Sequence, residues 1–198
     1  GSFGVWPGSS TVYTSTLQVW SSGTFTIDVA AGKFTDADGN NNIAATQYTW
    51  TYDGIAPTVT SVSSTAANGT YGIDSVIPIT VTFDESVIVT GTPQLTLETG
   101  DTDVVVDYSS GSGSSILTFN YTVASGNTSG DLDYGSTSAL ALNSGTIKDA
   151  AGNAATLTLP SVGGSGSLGD NKALVIDTTA PTISSTSPAS SSYVNHTK

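Results

Sequence analysis

Cysteine and arginine are absent from this sequence, histidine occurs once, and no apolar run comes near the ~20 residues a membrane-crossing helix needs. Without cysteine there is no disulfide framework and no thiolate zinc site, so the core is held by packing or by oxygen-bound ions. The lone His196 has no cysteine, second histidine or serine elbow near it. A nucleophile–base–acid triad cannot be assembled, and the chain reads as non-enzymatic. Asp84 and Glu85 are adjacent in sequence and read as structural rather than as a glycosidase pair. Charged residues are 10% of the chain, too few for long helices laced with Glu and Lys. Sixteen acids face four lysines, for a formal charge of −12, and that sign repels phosphate backbones and anionic lipid. Neither nucleic acid nor membrane insertion is expected. No stretch has the layout of a secretory signal, so an exported protein would carry one outside this segment.

What the chain has in quantity is hydroxyl and glycine: Ser and Thr supply 62 of the 198 residues and Gly 22, a composition of strands and turns. Period-two alternation follows. Phe25, Ile27 and Val29 alternate with Thr24, Thr26 and Asp28, and Tyr48, Trp50 and Tyr52 with Thr49 and Thr51. Downstream, Ile79, Val81 and Phe83 flank Thr80 and Thr82, and Leu117, Phe119, Tyr121 and Val123 flank Thr118, Asn120 and Thr122. Leu95 and Leu97, Leu140 and Leu142, Leu157 and Leu159, and Ala173 to Ile176 predict further short strands, and no helix is evident. Short strands between Gly, Ser, Asn and Asp clusters predict an all-β fold of the β-sandwich kind.

Two internal repeats set the predicted architecture. Tyr52-Asp53-Gly54-Ile55-Ala56-Pro57-Thr58-Val59 returns as Ile176-Asp177-Thr178-Thr179-Ala180-Pro181-Thr182-Ile183, a linker in which proline forces its predecessor to be extended. The loop Asp36-Ala37-Asp38-Gly39-Asn40 returns as Asp149-Ala150-Ala151-Gly152-Asn153. The loops are 113 residues apart and the linkers 124, the excess being a Gly- and Ser-rich stretch between Pro160 and Asn171. On this reading residues 1–53 are the C-terminal strands of a first Ig-like domain and 54–177 are a complete sandwich. Residues 178–198 are the linker and first strand of a third. Partial domains expose sheet edges, so neighbouring repeats or identical subunits are the expected partners.

With linker and loop in view, the chain resembles the bacterial immunoglobulin-like tandem repeats of giant cell-surface proteins. Residues 70–177 resemble the repeats of the cyanobacterial swimming-motility surface protein through Val76 to Val87, Val89 to Leu97, Ser115 to Val123, Asp131 to Leu142 and Asn143 to Asn153. Residues 12–53 look like the tail of a related repeat. The resemblance implies a sandwich fold and an extracellular, cell-surface location. It implies no single activity, since such repeats serve as stalks, spacers, adhesin arms and filament subunits.

Oxygen ligands gather where three segments of such a sandwich meet at one pole. Asp53 lies in the linker, Asp84 and Glu85 follow the strand Ile79 to Phe83, and Asp149 and Asn153 occupy the penultimate loop. Calcium takes six to eight oxygens at about 2.3–2.6 Å and suits that junction. The plain alternative is a turn in which Asp caps and Gly takes positive φ. Asp36 and Asp38 form the earlier counterpart loop and Asp177 the later linker, each with the same two readings. The Asp36 loop is not an EF-hand, because Gly39 is fourth rather than sixth and its twelfth residue is Gln47.

Sequons place Asn68, Asn120, Asn127 and Asn195 as glycan acceptors in a glycosylating host, although chance sequons are expected in so Ser- and Thr-rich a chain. Trp50, in phase with Tyr48 and Tyr52, is expected in a core; Trp6 and Trp20 are open. The expected function is an extracellular structural module of a stalk, adhesin or filament. The alternative is a ligand-binding adhesin module that recognises carbohydrate, ice or a host surface through the outward Thr80, Thr82, Thr118 and Thr122.

Overall fold

A computed structural model describes residues 2–3, 8–9, 12–13 and 16–184. Trp6, Asn195 and His196 lie outside the described residues, as does most of the predicted third-domain strand; residues 178–184 contain no strand. Among the described residues, four two-residue strands come first: β1 (Ser2–Phe3), β2 (Gly8–Ser9), β3 (Val12–Tyr13) and β4 (Leu17–Gln18). β1 pairs with β4 and β2 with β3, and an antiparallel ribbon of β5 (Gly23–Ile27) and β6 (Tyr48–Tyr52) follows.

The central segment holds β7 (Val59–Ser64), β8 (Gly69–Tyr71), β9 (Val76–Thr90), β10 (Gln94–Glu98), β11 (Val104–Ser110) and β12 (Ser114–Thr122). It continues through β13 (Thr128–Ser129), β14 (Asp133–Tyr134), β15 (Leu140–Ala141), β16 (Thr146–Lys148), the one-turn helix α1 (Leu168–Asn171) and β17 (Leu174–Asp177). A curled sheet runs β14-β10-β11-β12-β9-β16, with β7 on β9 and β15 on β10. A smaller sheet runs β13-β17-β8, with β17 parallel to β8.

The alternation pattern does what half-buried strands require. Ile77, Ile79, Val81 and Phe83 of β9 and Leu117, Phe119 and Tyr121 of β12 are buried, while Thr80, Thr82 and Thr118 between them are not. Each such apolar side chain contributes about 1.5–3 kcal/mol by leaving water. Every buried hydrophobic residue among those described lies between Val62 and Ile176.

Trp50 is a correction to expectation: it is only half buried, stacked between Phe25 at 5.7 Å and Tyr48 at 6.1 Å, and with Tyr48 and Ile27 it lines an open cavity against Leu17 and Val19. Trp20 is 74% exposed. Two further expectations fail. Leu157 and Leu159 form no strand, because residues 157–159 run as irregular chain that still buries Leu159. A helix is present, one turn long, inside the Gly- and Ser-rich stretch after Pro160. Ser167 caps it by accepting from the Asp170 N–H at 3.2 Å, and Leu168 fills the core beneath it.

Candidate metal centre

Strand β9 does not run straight. Opposite it, β12 advances only from Ser114 to Ile116 while β9 advances from Val87 back to Thr82, so Phe83–Ser86 bulges out of the ladder. Bulges re-aim side chains. Here the bulge brings Glu85 to the same end of the sandwich as the linker before β7 and the loop after β16. Asp53, Glu85 and Asp149 thereby place one carboxylate oxygen each within 4.8 Å of one another. Asn153 ties two of them together, its Nδ2 donating to the Asp149 Oδ2 at 2.7 Å and to the Asp53 carbonyl at 3.2 Å.

Asp149 is buried. Burial pushes its carboxyl up, but hydrogen bonds from the Asn153 side chain and from the backbone of Asn153, Gly152 and Ala151 outweigh that and hold it below the usual carboxylate range. Glu85 goes the other way. Desolvation raises it, and the negative charges of Asp149, Asp53 and Asp84 raise it further. The negative charges around Glu85 are of the kind a divalent cation would offset. The oxygens of the three acids, with the Asn153 Oδ1, are the donor type calcium takes.

The other candidate residues lie elsewhere. Asp84 is occupied by Thr58, whose N–H and Oγ1 donate to its two oxygens at 2.8 and 2.7 Å, and these bonds hold its carboxyl low. Asp84 thus clamps the start of β7, which adjacency to Glu85 in sequence does not reveal. Asp177 accepts from the Thr179 N–H at 2.9 Å, the same Asx turn that Asp53 makes with the Ile55 N–H at 3.0 Å. Asp36 accepts from the N–H groups of Asp38 and Asn40 and from the Asn40 Nδ2, contacts that hold its carboxyl low, the Asn40 side chain first. Gly39 and Gly152 sit at φ 83° and 98°, conformations that favour glycine. Both loops are therefore Asx-capped turns, and among the described residues only the later one is joined by two further acids.

Of the sequons, Asn68 and Asn120 are exposed, with Asn120 donating to the Ser109 Oγ at 2.9 Å. Asn127 is buried, its Oδ1 accepting from the Tyr121 hydroxyl at 3.0 Å and the Ala124 N–H at 2.9 Å, so that side chain serves the fold.

A two-sheet all-β module with a capped acidic pole belongs to the class of immunoglobulin-like structural domains. The bacterial Ig-like domain family matches residues 53–161, more than half of the chain, and the protein belongs to that family. Domains of this family are structural and non-catalytic and are generally found in bacterial surface proteins. No curated protein and no solved structure matches the chain. No helix among the described residues is long and apolar enough to cross a membrane.

Proposed function

We propose that the chain is a load-bearing segment of a bacterial surface stalk, adhesin or filament, built of Ig-like modules in series, with calcium stiffening the joints. In this reading residues 1–53, 54–177 and 178–198 belong to three successive modules, as in the repeats of the cyanobacterial swimming-motility surface protein. The observation that supports it most directly is the meeting of linker Asp53 with Glu85 and Asp149 of the following module. A cation held there would bond the joint to the body of the sandwich. The ion supplies positive charge where three carboxylates repel; the protein supplies the bulge, the Asx turn and the Asn153 bridge that orient them.

Calcium is expected to protect the Gly54–Ala56 joint from limited proteolysis and to raise the melting temperature. Glu85→Gln is expected to remove that response while the chain still melts cooperatively. The calcium response should also weaken as pH falls toward Glu85's raised titration range, since protonation removes a ligand. Cleavage patterns that are the same in calcium and in chelator would sink the proposal.

One row of side chains favours the adhesin alternative. Ser63, Thr80, Thr118 and Ser110 lie in register across β7, β9, β12 and β11 and form a line of hydroxyls on the wet face. Affinity for glycans or ice that Thr80→Val and Thr118→Val abolish would establish it; a blank screen leaves the spacer alone.

A further inference from the structure

The first strand of the central module changes sheets partway along. β7 belongs to the large sheet through β9; after a turn in which the Ala66 N–H donates to the Ser64 Oγ at 3.0 Å, the chain continues as β8 in the small sheet. The last stretch of the module runs beside it in the same direction. Thr58 makes a parallel bridge with Thr156 at one end, and Gly69, Thr70 and Tyr71 pair in parallel with Leu174, Val175 and Ile176 at the other. Between those contacts β7 has no partner strand on this side among the described residues, and the Gly- and Ser-rich insertion fills the place. Val62 donates its N–H to the Gly166 carbonyl, Asn171 Nδ2 donates to the Val62 carbonyl and Lys172 Nζ to the Ala66 carbonyl, each at 2.8 Å. Ala173 then donates its N–H to the Asn68 Oδ1 at 3.2 Å and accepts from the Gly69 N–H at 3.0 Å. Residue numbers rise together on both sides, so residues 58–71 and 156–176 form one parallel strip.

A segment of Gly and Ser is ordinarily slack and transmits no load. This one is fixed to the body of the module. The Tyr134 hydroxyl donates to the Pro160 carbonyl at 2.6 Å, the Gly163 N–H donates to the Asp133 Oδ2 at 2.9 Å, and Leu168 is fully buried. Asp170 Oδ2 accepts from the Gly166 N–H at 3.1 Å and closes the turn around α1. The flanking chain enters and leaves at opposite ends of the strip. Asp53 lies with Glu85, where the first half of β9 ends, and Asp177 lies beside Gly72, just before β9 begins. The intervening residues 76–83 span about 25 Å at ~3.3 Å per residue. Tension on the flanking chain therefore pulls residues 58–71 one way and residues 156–176 the other, along their own length.

We propose that the insertion, residues 161–171, together with Lys172, is a mechanical splint that joins the first and last strands of the module into one strip loaded in shear. This rests on the load-bearing reading and names the element that carries the load. Sliding two parallel segments past each other strains all their cross-bonds together, whereas peeling them from one end breaks the bonds in turn. Without the insertion the direct load would fall on the Thr58–Thr156 bridge and the short β8–β17 pairing alone. With it, the bonds at Val62 and Ala66 share the force along the whole of β7. Resistance to force is set by the rate of unfolding rather than by equilibrium stability, so the splint matters to a stalk beyond what it adds to the fold.

Single-molecule pulling tests the direction of the resistance. The full chain tethered by its two ends loads the strip in shear. The absence of cysteine allows a second tether at Ile73→Cys, a half-exposed position just past β8, which with the C-terminal tether peels β8 from β17 instead. The central module is recognised by a contour-length step of roughly 400 Å, the extended length of residues 58–177. Its rupture force is expected to be several-fold higher end to end than in peeling. Asn171→Ala and Lys172→Met are each expected to shorten its lifetime under constant end-to-end force about fivefold, the worth of one hydrogen bond, and to leave the peeling lifetime unchanged. Tyr121→Phe, which loses a hydrogen bond away from the strip, is expected to change the end-to-end lifetime little. Equal rupture forces in the two directions, or Asn171→Ala and Lys172→Met lifetimes no shorter than that of Tyr121→Phe, overturn the splint. Equal forces while calcium still protects the Gly54 joint remove the splint and leave the stiffened array standing; a directional force without that protection keeps the splint and removes calcium from the Asp53 joint.

Discussion

Replacing Leu168 with alanine is expected to lower stability by about 2–5 kcal/mol, the range for emptying a leucine-sized site in a packed core. Leu168 is fully buried although it sits in a segment of Gly and Ser that composition alone would leave in solvent. The segment is stitched to the outer side of β7: Val62 donates its N–H to the Gly166 carbonyl at 2.8 Å, and Asn171 Nδ2 donates to the Val62 carbonyl at 2.8 Å. Those two bonds occupy backbone groups that an edge strand would otherwise offer to another chain. The insertion thus both fills the core and shields an edge. Chemical denaturation is the measurement, with Leu142→Ala, at a 38% exposed position, as the control expected to change little. A Leu168→Ala cost no larger than the control's would show that the insertion is a detachable loop.

Alkali is expected to unfold the protein between pH about 10 and 12. Tyr121 and Tyr134 are fully buried; Tyr121 donates its hydroxyl to the Asn127 Oδ1 at 3.0 Å and Tyr134 to the Pro160 carbonyl at 2.6 Å. Desolvation pushes both phenols up to about 12 from an ordinary value of 10, and for Tyr134 the neighbouring Asp133 charge adds to it. The sign follows from which state holds its protons longer. Below pH 10 both states are protonated and these groups contribute in full. Above it the unfolded chain loses two protons that the folded chain keeps, so stability falls by about 1.4 kcal/mol per pH unit for each tyrosine until the folded phenols ionise. Unfolding titrations from pH 8 to 12 should show that slope, and Tyr121→Phe with Tyr134→Phe should flatten it, at a cost of about 1 kcal/mol per lost hydrogen bond at neutral pH. A slope that survives both substitutions would assign the alkaline transition to other groups.

Much of the central module was legible from alternation, because a strand shows its two faces every second residue. Ile79, Val81, Phe83, Leu117, Phe119 and Tyr121 are buried as that period requires. The same rule misplaced Trp50, since period two says which residues share a face but not whether a second sheet covers it. Leu157–Leu159 fails for a related reason: an apolar pair predicts burial and not pairing, and although the Leu159 N–H donates to the Thr137 carbonyl, the segment packs as coil. In the acidic pole, Asp53 and Asp149 were marked by the repeats. Glu85 and Asp84, adjacent in sequence, could not be told apart there; one faces the acidic cluster and the other holds Thr58.

By itself, the sequence determined the all-β class, the absence of thiol chemistry, the strand faces, and the pairing of linker with linker and loop with loop. Each of these depends only on residue type and spacing along one chain. The tertiary structure decided which acids meet, which edge the Gly- and Ser-rich insertion shields, and that the Thr156 amide bonds back to the Pro57 carbonyl of the linker. Those outcomes turn on the bulge in β9 and on separations of a few ångströms between residues as many as a hundred positions apart, and no local pattern encodes such distances.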